Sequence, residues 1–191
     1  MTELFILGRI LFQWKSSVSI ARKHYHLLAY RFMMAADIWI FLTLILAIFM
    51  SIPAINVYTH GTHITVAHTM GATIGINSFL LLAMAFDILK DTCVPISKNL
   101  KWLNRGYFIA NISLLLFWVS LIIAGVLKAK WQMSTPKTSF SSMMLQLRPY
   151  FITFFISGFA MITGFYLILY PLVKNQILCF CRRLFQQKKP V

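Results

Sequence analysis

The 191-residue chain is 59% hydrophobic and only 12% charged, with a mean hydropathy of +0.75. A soluble domain carries about 25% charged residues, so this composition excludes a soluble globular fold. It equally excludes disorder, which requires a polar chain. Eighteen basic residues against four acidic ones give a net charge of +14. Because the basic residues lie between long apolar runs, we expect them to contact anionic lipid headgroups, and we expect no nucleic acid partner.

Four windows of the sequence are long and apolar enough to cross a bilayer, which takes about 20 residues in a helix. They cover residues 32–55, 64–89, 107–127 and 150–172. Each is predicted to be helical, because lipid offers no partner to an unpaired backbone amide. The sequence therefore predicts an all-α membrane protein with one transmembrane domain of four helices, residues 32–173.

The basic residues are distributed unevenly between the two ends of these windows. Fourteen lie on the side that holds both termini, and four lie on the other side. Since basic loops face the cytoplasm, both termini are predicted to be cytoplasmic. Residues 174–191 then form a basic tail, and residues 1–31 form a basic N-terminal segment. Its apolar part, Leu4–Trp14, is either an amphipathic interfacial anchor or the end of a preceding helix.

Three of the five histidines, His60, His63 and His68, fall close together at the start of the second window. His68 lies about four residues, roughly 6 Å, into the span, and a histidine inside a spanning helix marks a candidate functional site. Alternatively, His68 bonds a neighbouring helix, and His60 and His63 lie at headgroup level without a role. A zinc site from all three lacks a nearby carboxylate or cysteine. The small residues of 71–75 would let a planar group or another helix approach closely.

The stretch Thr59–Met70 reads Thr-His-Gly-Thr-His-Ile-Thr-Val-Ala-His-Thr-Met. It resembles a motif in the tenth helix of the haem-copper oxidase superfamily, specifically of the large catalytic subunit of respiratory nitric oxide reductases. The family pattern there is approximately T-H-G-T-x-V-T-V-A-H-x-H. The resemblance is strongest over Asp37–Asn77 and weak after Leu100. It implies the C-terminal four-helix portion of a twelve-helix subunit I fold in the bacterial cytoplasmic membrane.

The resemblance implies roles for three residues. His68 matches the axial ligand of the high-spin haem at which the family reduces NO or O₂, and a single axial imidazole leaves the opposite haem face open. Met70 stands where the family has a histidine ligand of the low-spin haem, so it is either a substitute thioether ligand or a packing residue. His60 matches a loop histidine near the haem propionates, whereas His63 occupies a variable position. The expected cofactor is one haem b, or two if Met70 also binds iron.

The rest of the family's centre lies on earlier helices, including the ligands of the non-haem iron and the proton-handling glutamates. The only acidic residues here are Glu3, Asp37, Asp87 and Asp91, and the last three are expected to pair with Arg31, Lys90 or water near the cytoplasmic ends. The resemblance thus implies an incomplete oxidoreductase, inactive alone.

In this interpretation the chain takes part in electron transfer and in NO or O₂ reduction only with the missing N-terminal helices, which belong to the same subunit type or to a split partner. Non-haem iron would be present only in the completed complex, and quinol or cytochrome c would donate the electrons. The alternative is a haem-free structural or assembly subunit that retains the motif.

Overall fold

A computed structural model describes residues 28–89, 100–135 and 139–187. The predicted N-terminal anchor Leu4–Trp14 lies outside these residues. The structure is entirely helical over the described parts of the chain. Its elements are α1 (Leu28–Ser51), α2 (Pro53–Thr59), α3 (His63–Met70), a π segment (Gly71–Ser78), α4 (Phe79–Leu89), α5 (Leu100–Met133) and α6 (Phe140–Gln187). The residues from α3 through the π segment to α4 form one continuous helix.

Four helices are long and apolar enough to cross a membrane, as the sequence predicts: Leu28–Ser51, His63–Ile88, Lys101–Met133 and Phe140–Lys174. The last two are longer than the predicted windows 107–127 and 150–172. The windows end where charged residues begin, whereas a helix continues through lysine and arginine, which are good helix formers. Pro149, just before the fourth window, lies inside α6. We call the side of the membrane that holds Gly61 and the α5–α6 connection the Gly61 side.

The long helices α5 and α6 pack closely because glycines replace side chains at their contact. A Cβ atom added to Gly164 would lie 2.6 Å from the backbone nitrogen of Ala110, and one added to Gly106 would lie 2.8 Å from the carbonyl oxygen of Gly164. Small residues at such contacts let two helix backbones approach within a membrane, where packing rather than hydrophobicity drives association. The α5–α6 pair is therefore fixed in register at this point.

Aromatic side chains hold the start of α1 against the other helices. Phe32 is fully buried and stacks on Phe86 of α4 at 5.0 Å between ring centroids, and Tyr107 of α5 meets it edge-on at 5.4 Å. Beside this cluster, the Arg31 guanidinium donates a hydrogen bond of 2.8 Å to the Asn104 side chain of α5. The cluster thus joins the first three spanning helices at the end opposite the Gly61 side.

Replacing Gly164 with alanine is expected to destabilise the domain by about 1–3 kcal/mol, the usual cost of overpacking a tight contact. Gly158→Ala is the matched control on the same helix, since a Cβ there meets nothing nearer than Phe117 at 3.8 Å. Unfolding of the two variants in detergent, followed by circular dichroism, measures the difference. Equal stability of the two variants would contradict the close contact.

Candidate functional site

The first part of the histidine motif builds the turn that starts the second span. Gly61 has φ +70°, a left-handed conformation that favours glycine. Thr62 is the N-cap of α3: its hydroxyl accepts a hydrogen bond of 3.3 Å from the amide of Ile64 and donates one of 2.6 Å to the carbonyl of Thr59. Lys128 of α5 donates a hydrogen bond of 3.2 Å to the carbonyl of Gly61. The turn and the N-cap therefore explain Gly61 and Thr62 without any ligand.

His68 lies on α3, one and a half turns into the second span, and is partly exposed. Its Nδ1 atom is buried, and no group in the described residues forms a hydrogen bond with it. Leaving a buried polar atom unpaired costs about 1–3 kcal/mol. The alternative that Nδ1 bonds a neighbouring helix is therefore not realised in these four helices. The imidazole thus retains an unused nitrogen inside a spanning helix.

The small residues that follow His68 are packed against other helices. A Cβ at Gly71 would collide with the Thr43 side chain of α1 and come within 3.2 Å of the Trp118 indole nitrogen, and one at Gly75 would lie 2.6 Å from the Trp39 ring. Trp39 and Trp118 meet edge-on at 6.0 Å. The sequence left two possibilities for these glycines, a planar cofactor or a neighbouring helix. The structure favours the helix, because side chains of α1 or α5 pack against both Gly71 and Gly75.

Met70 lies on a different side of α3 from His68, because residues two apart in an α-helix are about 200° apart around its axis. Met70 is partly buried and packs against the main hydrophobic core. The π segment begins directly after Met70 at Gly71. Such segments occur often at functional sites. The sequence analysis predicted only a continuous helix here and did not predict the π segment.

The other two histidines lie at the turn. His60 is exposed, and its backbone amide bonds the carbonyl of Asn56 at the end of α2. His63, the first residue of α3, has its ring 5.3 Å from that of Phe151 on α6, and its Nδ1 atom is buried without a partner. Sequence reasoning missed this contact between the motif and the fourth span. Among the described residues, no group of three histidine, cysteine or acidic side chains is placed to hold a metal ion.

A carboxyl and a carboxamide side chain are exposed within the membrane-spanning part: Asp37 on α1 and Asn77 on the π segment. Trp39 lies beside Gly75 and α1 runs antiparallel to the second span, so Asp37 and Asn77 lie at similar depth. Neither side chain forms a hydrogen bond or ion pair within residues 28–89, 100–135 and 139–187.

Arg31, one of the partners expected for the three aspartates, therefore does not pair with Asp37. The two residues are six positions apart on one helix, which places them about 240° apart around its axis and roughly 9 Å apart along it. Arg31 instead bonds Asn104. Lipid supplies no hydrogen bond to a carboxyl or amide group at this depth, so both Asp37 and Asn77 need a partner from outside the four helices.

A comparison with known protein families gives one further finding. The family described as Cytochrome C and Quinol oxidase polypeptide I matches the chain over residues 5–172, which covers nearly the whole of the four spanning helices. A comparison with curated proteins finds no match.

The turn geometry predicts different effects for two threonines of the second span. Thr62→Ala removes the N-cap of α3 and is expected to destabilise the domain by about 1 kcal/mol. Thr73→Ala should change stability by less than about 0.5 kcal/mol, because this exposed hydroxyl bonds only the Thr69 carbonyl of its own helix. Unfolding in detergent measures both variants, and a larger loss in Thr73→Ala would contradict the capping role of Thr62.

Proposed function

The chain belongs to the Cytochrome C and Quinol oxidase polypeptide I family, and on this premise we propose that it is the haem-binding C-terminal portion of a nitric oxide reductase-like catalytic subunit. In this proposal it acts in electron transfer and in NO or O₂ reduction only together with N-terminal helices of the same subunit type or of a split partner. The observation that carries the proposal is the unpaired imidazole of His68 within a spanning helix.

The donor set of the second span fits a haem that would be held by His68. The helix carries an imidazole that forms no hydrogen bond with the described residues, and haem iron accepts such a ligand. A haem b bound there would supply the iron at which NO or O₂ is reduced. A ligating histidine usually donates its other ring N–H to a carbonyl or carboxylate. In the described residues the enclosed ring nitrogen of His68 is Nδ1, and it has no such acceptor there.

The roles of Met70 and His60 follow from their surroundings. Met70 is already packed into the core, which favours its interpretation as a packing residue and leaves His68 as the haem ligand of this chain. If Met70 did bind iron, a second haem would lie on the other side of α3. The exposed imidazole of His60 lies at the membrane boundary, where it is accessible to a haem propionate.

The exposed polar groups within the span support the need for partner helices. Placing an aspartate near the centre of a spanning helix costs roughly 3 kcal/mol in insertion experiments, and Asp37 has no compensating partner in the described residues. Hydrogen-bonding side chains of a neighbouring helix would stabilise both Asp37 and Asn77. The missing N-terminal helices are the natural source. Both termini are proposed to be cytoplasmic, with quinol or cytochrome c as the electron donor of the completed complex.

The test is to purify the tagged chain with its partners from its native membrane and record reduced-minus-oxidised haem spectra. His68→Ala is expected to lose most of the high-spin haem signal, because the other two histidines of the described residues, His60 and His63, lie at the turn. His63→Gln is the control, because the family motif assigns His63 no role, and it should retain the haem. Identical haem content in wild type and His68→Ala, with the partner helices present, would reject the proposal. A complex that assembles without any haem would support a structural or assembly subunit.

Met70→Leu separates packing from ligation. If Met70 packs, leucine of similar volume costs less than about 1.5 kcal/mol of stability, and the low-spin haem spectrum of the purified complex stays unchanged, which is the expected result. A lost or shifted low-spin signal at constant high-spin content would show instead that the Met70 sulfur binds iron.

A further inference from the structure

An open groove of about 670 Å³ runs along α6 on the Gly61 side, and all eight residues that line it belong to α6. Its lining is apolar apart from Ser141 and Arg148, and the apolar lining residues are Phe140, Met144, Leu145, Phe151, Ile152 and Phe155. The other side of the same helix is occupied, because Met143 and Leu147 pack with Ala124 of α5. The groove is therefore a free face of α6, separate from His68.

Arg148 is the one cation among the residues that line this groove. It is exposed and forms no hydrogen bond or ion pair with any described residue. The only carboxylates in the described parts of the chain, Asp37 and Asp87, lie away from the Gly61 side. The exposed guanidinium, without a partner among the described residues, is available to an anion.

The depth of Arg148 places it at the membrane boundary. Leu147, its neighbour, packs with Ala124, four residues before Lys128, and Lys128 bonds the turn at Gly61. Side chains of a helix lean toward its N-terminus, which for α6 is the membrane surface. The Arg148 stem can therefore cover apolar surface while its guanidinium reaches headgroup level. Ile152 and Phe155 lie one and two turns deeper, where acyl chains are found.

We propose that this groove binds an anionic phospholipid of the Gly61-side leaflet, with its phosphate on Arg148 and an acyl chain along Ile152 and Phe155. A guanidinium and a phosphate form paired, charge-assisted hydrogen bonds, and the apolar lining below matches a hydrocarbon chain. A second copy of this chain is disfavoured as occupant, since no described carboxylate lies on this side to meet Arg148. The site is independent of haem binding at His68.

Pro149 lies inside α6, between the upper and the lower residues of this groove. Proline has no backbone N–H, so the carbonyl of Leu145, four residues earlier, lacks its helical hydrogen bond. Leu145 and Arg148 lie before this position, and Ile152 and Phe155 lie after it.

The test measures binding of spin-labelled lipid to the purified chain in vesicles of phosphatidylcholine, from the motionally restricted fraction of the spectrum. Labelled phosphatidylglycerol is expected to bind wild type more tightly than labelled phosphatidylcholine. Arg148→Gln should reduce that preference about tenfold, because it removes the charge-assisted hydrogen bonds to the phosphate. Lys130→Gln removes the same charge from an exposed position outside the groove and should change the preference less than twofold.

A second variant tests the apolar part of the groove. Ile152→Trp fills the lower groove while keeping Arg148, and it should reduce the restricted fraction of labelled phosphatidylglycerol without loss of helix by circular dichroism. Equal loss in Arg148→Gln and Lys130→Gln would show only general attraction to charged lipid and overturn the proposal. A wild-type chain with no preference between the two lipids would also overturn it, and would direct attention to a partner helix bearing a carboxylate.

Discussion

Backbone contact at a few glycines determines how the four spanning helices are arranged. In lipid, apolar side chains gain little by leaving their surroundings for one another, so association depends on how closely two helices approach. Gly106 and Gly164 bring α5 and α6 together, and Gly71 and Gly75 bring the second span against Thr43, Trp39 and Trp118. These contacts orient the second span, and its orientation leaves Asn77 exposed and the Nδ1 of His68 enclosed without a partner.

The number of spanning helices could be predicted from composition alone, because the cost of an unpaired amide in lipid leaves a 20-residue apolar window no other structure. Helix ends were harder to predict. Arg148 and Pro149 suggest a boundary, yet α6 begins at Phe140, since one lost hydrogen bond does not end a helix that its neighbours support. The π segment was not predicted at all. It depends on how Gly71 and Gly75 meet tryptophans that are distant in the sequence.

In the candidate site too, features set by residues close in the sequence could be predicted, and features set by contacts between helices could not. The motif identified His68 as a candidate, and the turn residues Gly61 and Thr62 have conformations that their own chemistry explains. Local sequence could not reveal that Met70 faces the core or that His63 contacts Phe151, because both facts depend on neighbouring helices. That Arg31 bonds Asn104 and not Asp37 has a related cause. Arg31 and Asp37 are close along the chain, but the helix turns their side chains to different faces.

The π segment changes which face of the second span meets each neighbouring helix. Its hydrogen bonds run from residue i to i+5 rather than i+4, so it holds more residues in each turn than the α-helices α3 and α4 on either side of it. The residues of α4 are therefore rotated about the helix axis, relative to those of α3, by a different angle than in an uninterrupted α-helix. The face of α4 that packs on α1 thus cannot be found by continuing the α-helical period from His68.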